Sequence, residues 1–394
     1  MDKNSRINKI LNNLFLFSFA LFLFYYSYRY IFKYNSTTTS PSYSDTPVSF
    51  QVAKYILIVL GCLFTLMLLI IKNHRIKINP LLLIYYLVLL YDFAITKSSI
   101  VIVSISILTV FIIIYFSNAI INIDKLKLLI DFFIIFSIIY EAIQIILFVF
   151  TGRLPALAYA TGVISDVRFG GPWDDPNGFG IILSFLIPYV YLTKTGSKRN
   201  ILVCILLCML VLTWSFTAYF CFGVVFVIWL YTRYKNKMYF LGLCALTLVL
   251  LVLVLCTSHG RTLINNKIGS ITDHFNSYNL ENFSIANLLG ITPQNKATES
   301  GYISLLYSGG ILSIGLFAYI SAIGIKGICK LLKNNQNTEN IGIYKAMLLF
   351  CIIYLIGMFN LPLNSSFSVS GIYYMFILIG WLYNLKSKDL IKER

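Results

Sequence analysis

SIVIVSISILTVFIIIYF, residues 99–116, contains no charged side chain. An apolar run of about 18 residues is long enough to cross the hydrocarbon of a bilayer as a helix. Runs of this kind follow one another almost from end to end of the 394-residue chain, which is 58% hydrophobic and 12% charged, with a mean hydropathy of +0.81. The expected fold is therefore an all-α polytopic integral membrane protein, a single transmembrane domain spanning residues 1–394. About twelve transmembrane helices are expected, near 10–32, 52–71, 80–95, 99–116, 128–150, 177–193, 200–214, 217–231, 239–256, 301–323, 343–359 and 369–385.

The net charge of +16 reads differently in a membrane protein than in a soluble one. It does not point to nucleic acid, because Lys and Arg chiefly orient the loops. With the N-terminus inside, 22 of the 31 basic residues fall in inner segments and nine in or beside outer ones. Both termini are therefore expected to be cytoplasmic. MDKNSRINKI is basic, but the apolar run behind it lacks a small-residue cleavage site, so it reads as a first membrane helix rather than a signal peptide. The eight cysteines lie in or beside apolar runs without a CxxC pair, which suggests buried free thiols.

Three outer loops are long. Residues 33–51, KYNSTTTSPSYSDTPVSFQ, have the composition of a flexible cap. Residues 257–300 form a large outer loop in which ENFSIANLLG suggests a short helix. The third loop, 151–176, leads into RFGGPWDDPNGFG, residues 168–180, a charged and glycine-rich stretch amid apolar sequence. Gly170-Gly171-Pro172 permits a sharp turn, and Pro176-Asn177-Gly178 signals a turn and helix start. Asp174, Asp175 and Asn177 are candidate caps for the following helix. Arg168 then sits at the outer face, where a guanidinium suits a phosphate or pyrophosphate, with a helix N-terminus nearby. A purely structural turn, with Arg168 paired to Asp174 or Asp175, explains the same residues.

The pattern R-x-G-G-x-x-x-D-P-N before a membrane helix resembles the signature of the O-antigen polymerase and O-antigen ligase superfamily, the Wzy and WaaL type proteins. TESGYISLLYSGGILSIG (298–315) is similar to the family segment leading from the large outer loop into the next helix. LTWSFTAYF (212–220) resembles the family's tight outer turn. The resemblance covers most of the chain through the order of these segments and the topology. Three departures stand out. Glu299 occupies a position where many ligases have His, the outer turn lacks the usual Arg, and the large loop is short. The missing His fits a polymerase better than a ligase.

The resemblance implies a metal-independent glycosyltransferase without a cofactor, acting on undecaprenyl-pyrophosphate-linked oligosaccharide at the outer face of a bacterial plasma (inner) membrane. Membrane lipids surround it, a chain-length regulator and a flippase are candidate partners, and no nucleic acid is involved. Arg168, Glu299, Asp174 and Asp175 are the candidate catalytic residues. Arg261, Asn177, Gly170, Gly171, Tyr302 and Asp273 are the candidates for binding or shaping the substrate site. The alternatives are a ligase that moves finished glycan to a terminal acceptor, and a lipid-linked oligosaccharide flippase or other transporter.

Other polar residues carry less. Glu141 lies inside a span with Gln144 one turn away, and either a functional role or a packing hydrogen bond accounts for it. Asp92 and Asp131 lie near helix ends and are expected to reach water. Tyr159 is a candidate for stacking on sugar rings. With three histidines and no HxxxH or HExxH, a metal site is not expected. No phosphate-binding glycine motif offers a home for a nucleotide.

Overall fold

The computed structural model describes residues 3–25, 48–71, 79–116, 121–151, 158–160, 167–173, 175–233, 284–294, 300–336 and 338–392. Ten of the twelve expected helices lie within these residues; that at 10–32 is described only to residue 25, and that at 239–256 lies outside them. In chain order they are α1 (Lys3–Phe24), α2 (Val48–Ile71), α3 (Pro80–Thr96), α4 (Ser99–Phe116), α5 (Ile123–Thr151), α6 (Pro176–Thr193), α7 (Gly196–Leu212) and α8 (Phe216–Arg233). A short α9 (Ile285–Leu288) precedes α10 (Gly301–Asn334), α11 (Ile341–Gly357) and α12 (Phe367–Lys392). Among the described residues, five helices are long and apolar enough to cross a membrane: α1 over Arg6–Phe24, α5 over Ile123–Phe150, α6, α10, and α12 over Phe367–Leu385.

One element departs from an all-helical design. Strands β1 (Ala158–Ala160) and β2 (Val167–Phe169) pair antiparallel, with Tyr159 opposite Arg168. Three-residue strands leave no alternation to read in the sequence.

The helices α6 and α12 form the centre. Phe185 of α6 lies 5.1 Å from Phe350 of α11 and 5.4 Å from Phe376 of α12, ring to ring. Phe22 of α1 meets Phe367 edge-on at 4.9 Å. By contrast, α5 turns Leu128, Phe132, Ile135, Ile139, Ile143 and Ile146 outward, a stripe at helical spacing. On an apolar bundle such a face is what lipid covers. Cys204, Cys208 and Cys329 also face outward, and only Cys221 and Cys351 of the described cysteines are buried. Both groups suit an apolar setting, but the expectation of general burial holds for only these two.

Lipid tails are as apolar as leucine, so helices in a bilayer associate through close packing rather than water exclusion. The crossing of α10 and α12 shows this. A Cβ on Gly327 would collide with the Gly380 carbonyl, and one on Gly380 would collide with the Gly324 carbonyl. Two hydrogen bonds flank this crossing: Trp381 Nε1 donates to Ile320 O at 2.8 Å and Asn384 Nδ2 to Ile323 O at 2.8 Å.

At the helix ends opposite the 168–180 segment, Lys194 pairs with Asp131, which also accepts from the Tyr189 hydroxyl at 3.0 Å. Asp131 is thus partly open, as expected. Asp92 is not: it is 1% exposed. Its position near the end of α3 did not reveal that α10 packs over it.

Gly327→Val would force α10 and α12 apart. Overpacking of this kind costs about 1–3 kcal/mol, so the purified variant should unfold several degrees below wild type in a detergent thermal melt. Gly223→Ala, where a Cβ meets nothing within 4 Å, should not.

Candidate functional site at the outer turn

The 168–180 segment is built residue by residue around the start of α6. Phe169 packs edge-on against Phe148 of α5 at 6.1 Å. The chain then turns, with Trp173 N–H donating to Gly170 O at 3.0 Å. Gly171 has φ +54°, and a Cβ there would overlap the Phe179 ring, so glycine is required on both counts. Trp173 is 1% exposed and donates Nε1–H to Leu23 O at 2.9 Å, pinning the turn to the end of α1. Asp175 caps α6, with its two carboxylate oxygens accepting from the N–H groups of Asn177 and Gly178, each at 2.9 Å. Pro176 occupies the first helical position, where its missing N–H costs nothing.

Asn177 does not cap the helix. Its Oδ1 accepts from Arg168 Nη2 at 2.9 Å and from Ser215 Oγ at 2.9 Å. Because a guanidinium only donates, the Asn177 oxygen must face it. Arg168 Nε donates to Thr213 O at 2.9 Å. The guanidinium is therefore held on two sides, half-buried, with the charge of Asp175 near enough to act on it.

The outer turn between α7 and α8 is shaped to receive it. Thr213 and Ser215 are fully buried. Thr213 Oγ1 donates to Leu210 O at 2.7 Å, and Ser215 Oγ accepts from Ala218 N–H at 3.3 Å to start α8. Between them, Trp214 has φ +47°, a left-handed conformation costly for a bulky side chain, on the order of 1–3 kcal/mol. This conformation brings the Thr213 carbonyl and the Ser215 hydroxyl to the same guanidinium–amide pair. Gly180 permits the approach, since a Cβ there would come within 2.6 Å of Ala218 Cβ.

The contact network continues. Asn360 Nδ2 donates to Thr217 Oγ1 at 2.6 Å. The Gly301 N–H donates to Met358 O at 2.9 Å and Leu361 O at 3.1 Å, while Ser300 Oγ donates to Met358 O at 3.2 Å. The three segments singled out in the sequence, 168–180, 212–220 and 298–315, thus meet through the turn at 358–361. Sequence reasoning missed Thr213, Thr217 and Asn360; each acts through a turn, and none has a spacing signal.

Tyr302 spends its hydroxyl on Leu355 O at 2.8 Å and sets its ring 4.8 Å from Phe359, a packing role within α10 and α11. Glu141 is 2% exposed and lies against the Gly171 backbone N–H, short of a hydrogen bond. An intramembrane carboxylate that looked independent of the loop is therefore directly beneath its turn. Asp174, Glu299, Arg261 and Asp273, together with Lys267 and the three histidines, lie outside the described residues.

The helix N-terminus needs a correction. The N–H groups expected to attract an external anion are already occupied by the Asp175 carboxylate. The expectation of a helix N-terminus open to an anion therefore does not hold here.

No protein-family model matches the chain, and no curated protein matches it.

An Asp side chain capping two N–H groups contributes about 1 kcal/mol. Asp175→Ala should lower the thermal midpoint of the purified protein by a few degrees. Asp175→Asn, which keeps a capping oxygen but removes the charge, should recover most of the loss.

Proposed function

We propose that the chain is a polysaccharide polymerase of the outer face of a bacterial plasma membrane, resembling the O-antigen polymerase superfamily. It would join oligosaccharide repeat units carried on undecaprenyl pyrophosphate. The observation that carries this reading is the guanidinium of Arg168, held by Thr213 O and Asn177 Oδ1 on a turn locked to α1, α6 and α8. Supporting it, counting the expected spans leaves 22 of the 31 basic residues on the side of the N-terminus, the excess that a cytoplasmic face carries.

In the proposed reaction, the acceptor hydroxyl oxygen attacks the anomeric carbon of the growing chain. The carbon–oxygen bond to the lipid pyrophosphate breaks, and that group leaves with the bonding pair. Negative charge grows on the pyrophosphate, and a fixed guanidinium stabilises it without reorganising. The proton lost by the hydroxyl passes to a carboxylate acting as general base. Glu299 is the first candidate, followed by Asp174 and Asp273. Asp175 is better assigned to the cap. The donor is already activated by its pyrophosphate, so the reaction calls for neither nucleotide nor metal.

A second reading has an observation of its own. Helix α10 is broken at Gly309–Gly310, and two carboxylates, Asp92 and Glu141, are buried within the bundle. Broken helices and buried charges are features of secondary transporters, so a lipid-linked oligosaccharide flippase is the rival.

Purified protein given the lipid-pyrophosphate repeat unit should produce a ladder of lengthening glycans. Arg168→Ala should reduce it by at least 100-fold, and Asn177→Ala, which loosens the guanidinium, by about tenfold. A folded Arg168→Ala protein with an unchanged ladder would remove Arg168 from the mechanism. Transbilayer movement of the unit without any ladder would favour the flippase.

A further inference from the structure

The break in α10 gathers a second polar site, separate from Arg168. Gly309 (φ −131°, ψ 20°) and Gly310 (φ 62°, ψ −156°) leave the helical path, and Gly310 is in the left-handed region that favours glycine. The segment after α9 docks onto this break: a Cβ on Gly290 would lie 2.5 Å from the Gly309 carbonyl oxygen. It is fastened on both sides. Gln294 N–H donates to Tyr307 O at 2.9 Å, and the Tyr91 hydroxyl donates to Ile291 O at 3.0 Å.

Buried polar side chains border this break. Asp92, beside Tyr91 on α3, has Oδ1 accepting from Thr96 Oγ1 at 3.2 Å. The Ser308 hydroxyl lies next to its carboxylate but donates to Leu305 O at 3.2 Å. A hydroxyl has one proton, and that of Thr96 is closer to Asp92 O, at 2.8 Å; Asp92 Oδ2 has no hydrogen-bond partner among the described residues. Gln294 Oε1 is also buried without a hydrogen-bond partner there, while the Ser313 hydroxyl lies beside that of Tyr85. Ser313 Oγ would lie 3.3 Å from a Cβ on Gly309, and Gln294 is bonded to Tyr307, two residues before that glycine.

A buried carboxylate with one weak hydrogen bond is costly unless its charge is compensated. Further donor-poor oxygens around it are what a cation requires, and a broken membrane helix is a recurrent place for one. One carboxylate balances one positive charge. A divalent ion would leave an excess charge in the bundle and usually recruits more carboxylates.

We propose that Asp92, Ser308 and Gln294, at the Gly309–Gly310 break, form a binding site for a monovalent alkali cation. The cation would fasten α3 and the 290–294 segment to α10. This does not depend on the polymerase reading, since Arg168 takes no part in it.

The test is thermal unfolding of the purified full chain in detergent, at equal ionic strength, in sodium, potassium or N-methyl-D-glucamine chloride. Wild type should gain a saturable rise of a few degrees in sodium or potassium over the organic cation; the larger gain identifies the ion. Asp92→Asn should lose that response, and Ser308→Ala should raise the half-saturating concentration several-fold. Equal wild-type midpoints in all three salts would overturn the proposal, as would an Asp92→Asn variant that responds like wild type. An Asp92→Asn protein too unstable to purify leaves the wild-type titration and Ser308→Ala to decide.

Discussion

Asn177 Oδ1 accepts two hydrogen bonds, from the Arg168 guanidinium and from the Ser215 hydroxyl, and this end of the bundle is organised around that atom. A guanidinium beside a bilayer has no cheap resting place. If unpaired it would draw in water or swing away into solvent. Here an amide oxygen and a backbone carbonyl are among the groups that hold it. Asp175, which could have neutralised it by direct pairing, is committed instead to the N–H groups of Asn177 and Gly178. The cation is thereby fixed in direction.

That arrangement explains why the segment is so unlike its surroundings. Each unusual residue answers a local demand. Gly171 allows a left-handed turn over Phe179, Trp173 drives an anchor into the core, and Gly180 lets the α7–α8 turn close in. The left-handed Trp214 belongs to the same set, since its conformation aims the Thr213 carbonyl and the Ser215 hydroxyl at one point.

Much of the bundle was legible in the sequence, because charge-free runs leave a chain in lipid no alternative to the helix. Helix ends were less legible. The segment expected at 128–150 begins at Ile123, because Asp124, Lys125 and Lys127 look like loop yet fit an exposed first turn. Likewise α10 runs on to Asn334 through Lys326, Lys330 and Lys333, since a helix can leave the membrane without ending. At the site, the turn and the cap were readable from Gly, Pro and Asp. The partnership of Arg168 with Thr213 was not, because it joins residues distant in the chain through a backbone carbonyl. The burial of Asp92 was hidden similarly, as it depends on the α10 break passing over it.

The proposed function depends on recognition of a lipid pyrophosphate by a preorganised guanidinium. The most direct measurement is the equilibrium affinity of the purified protein for undecaprenyl pyrophosphate and for undecaprenyl monophosphate, compared with Asn177→Ala. Charge-assisted contacts contribute about 1.5–3 kcal/mol each. Wild type should therefore bind the pyrophosphate at least about tenfold more tightly than the monophosphate, and Asn177→Ala should lose most of that preference. Equal affinity of wild type for the two lipids would contradict the claim.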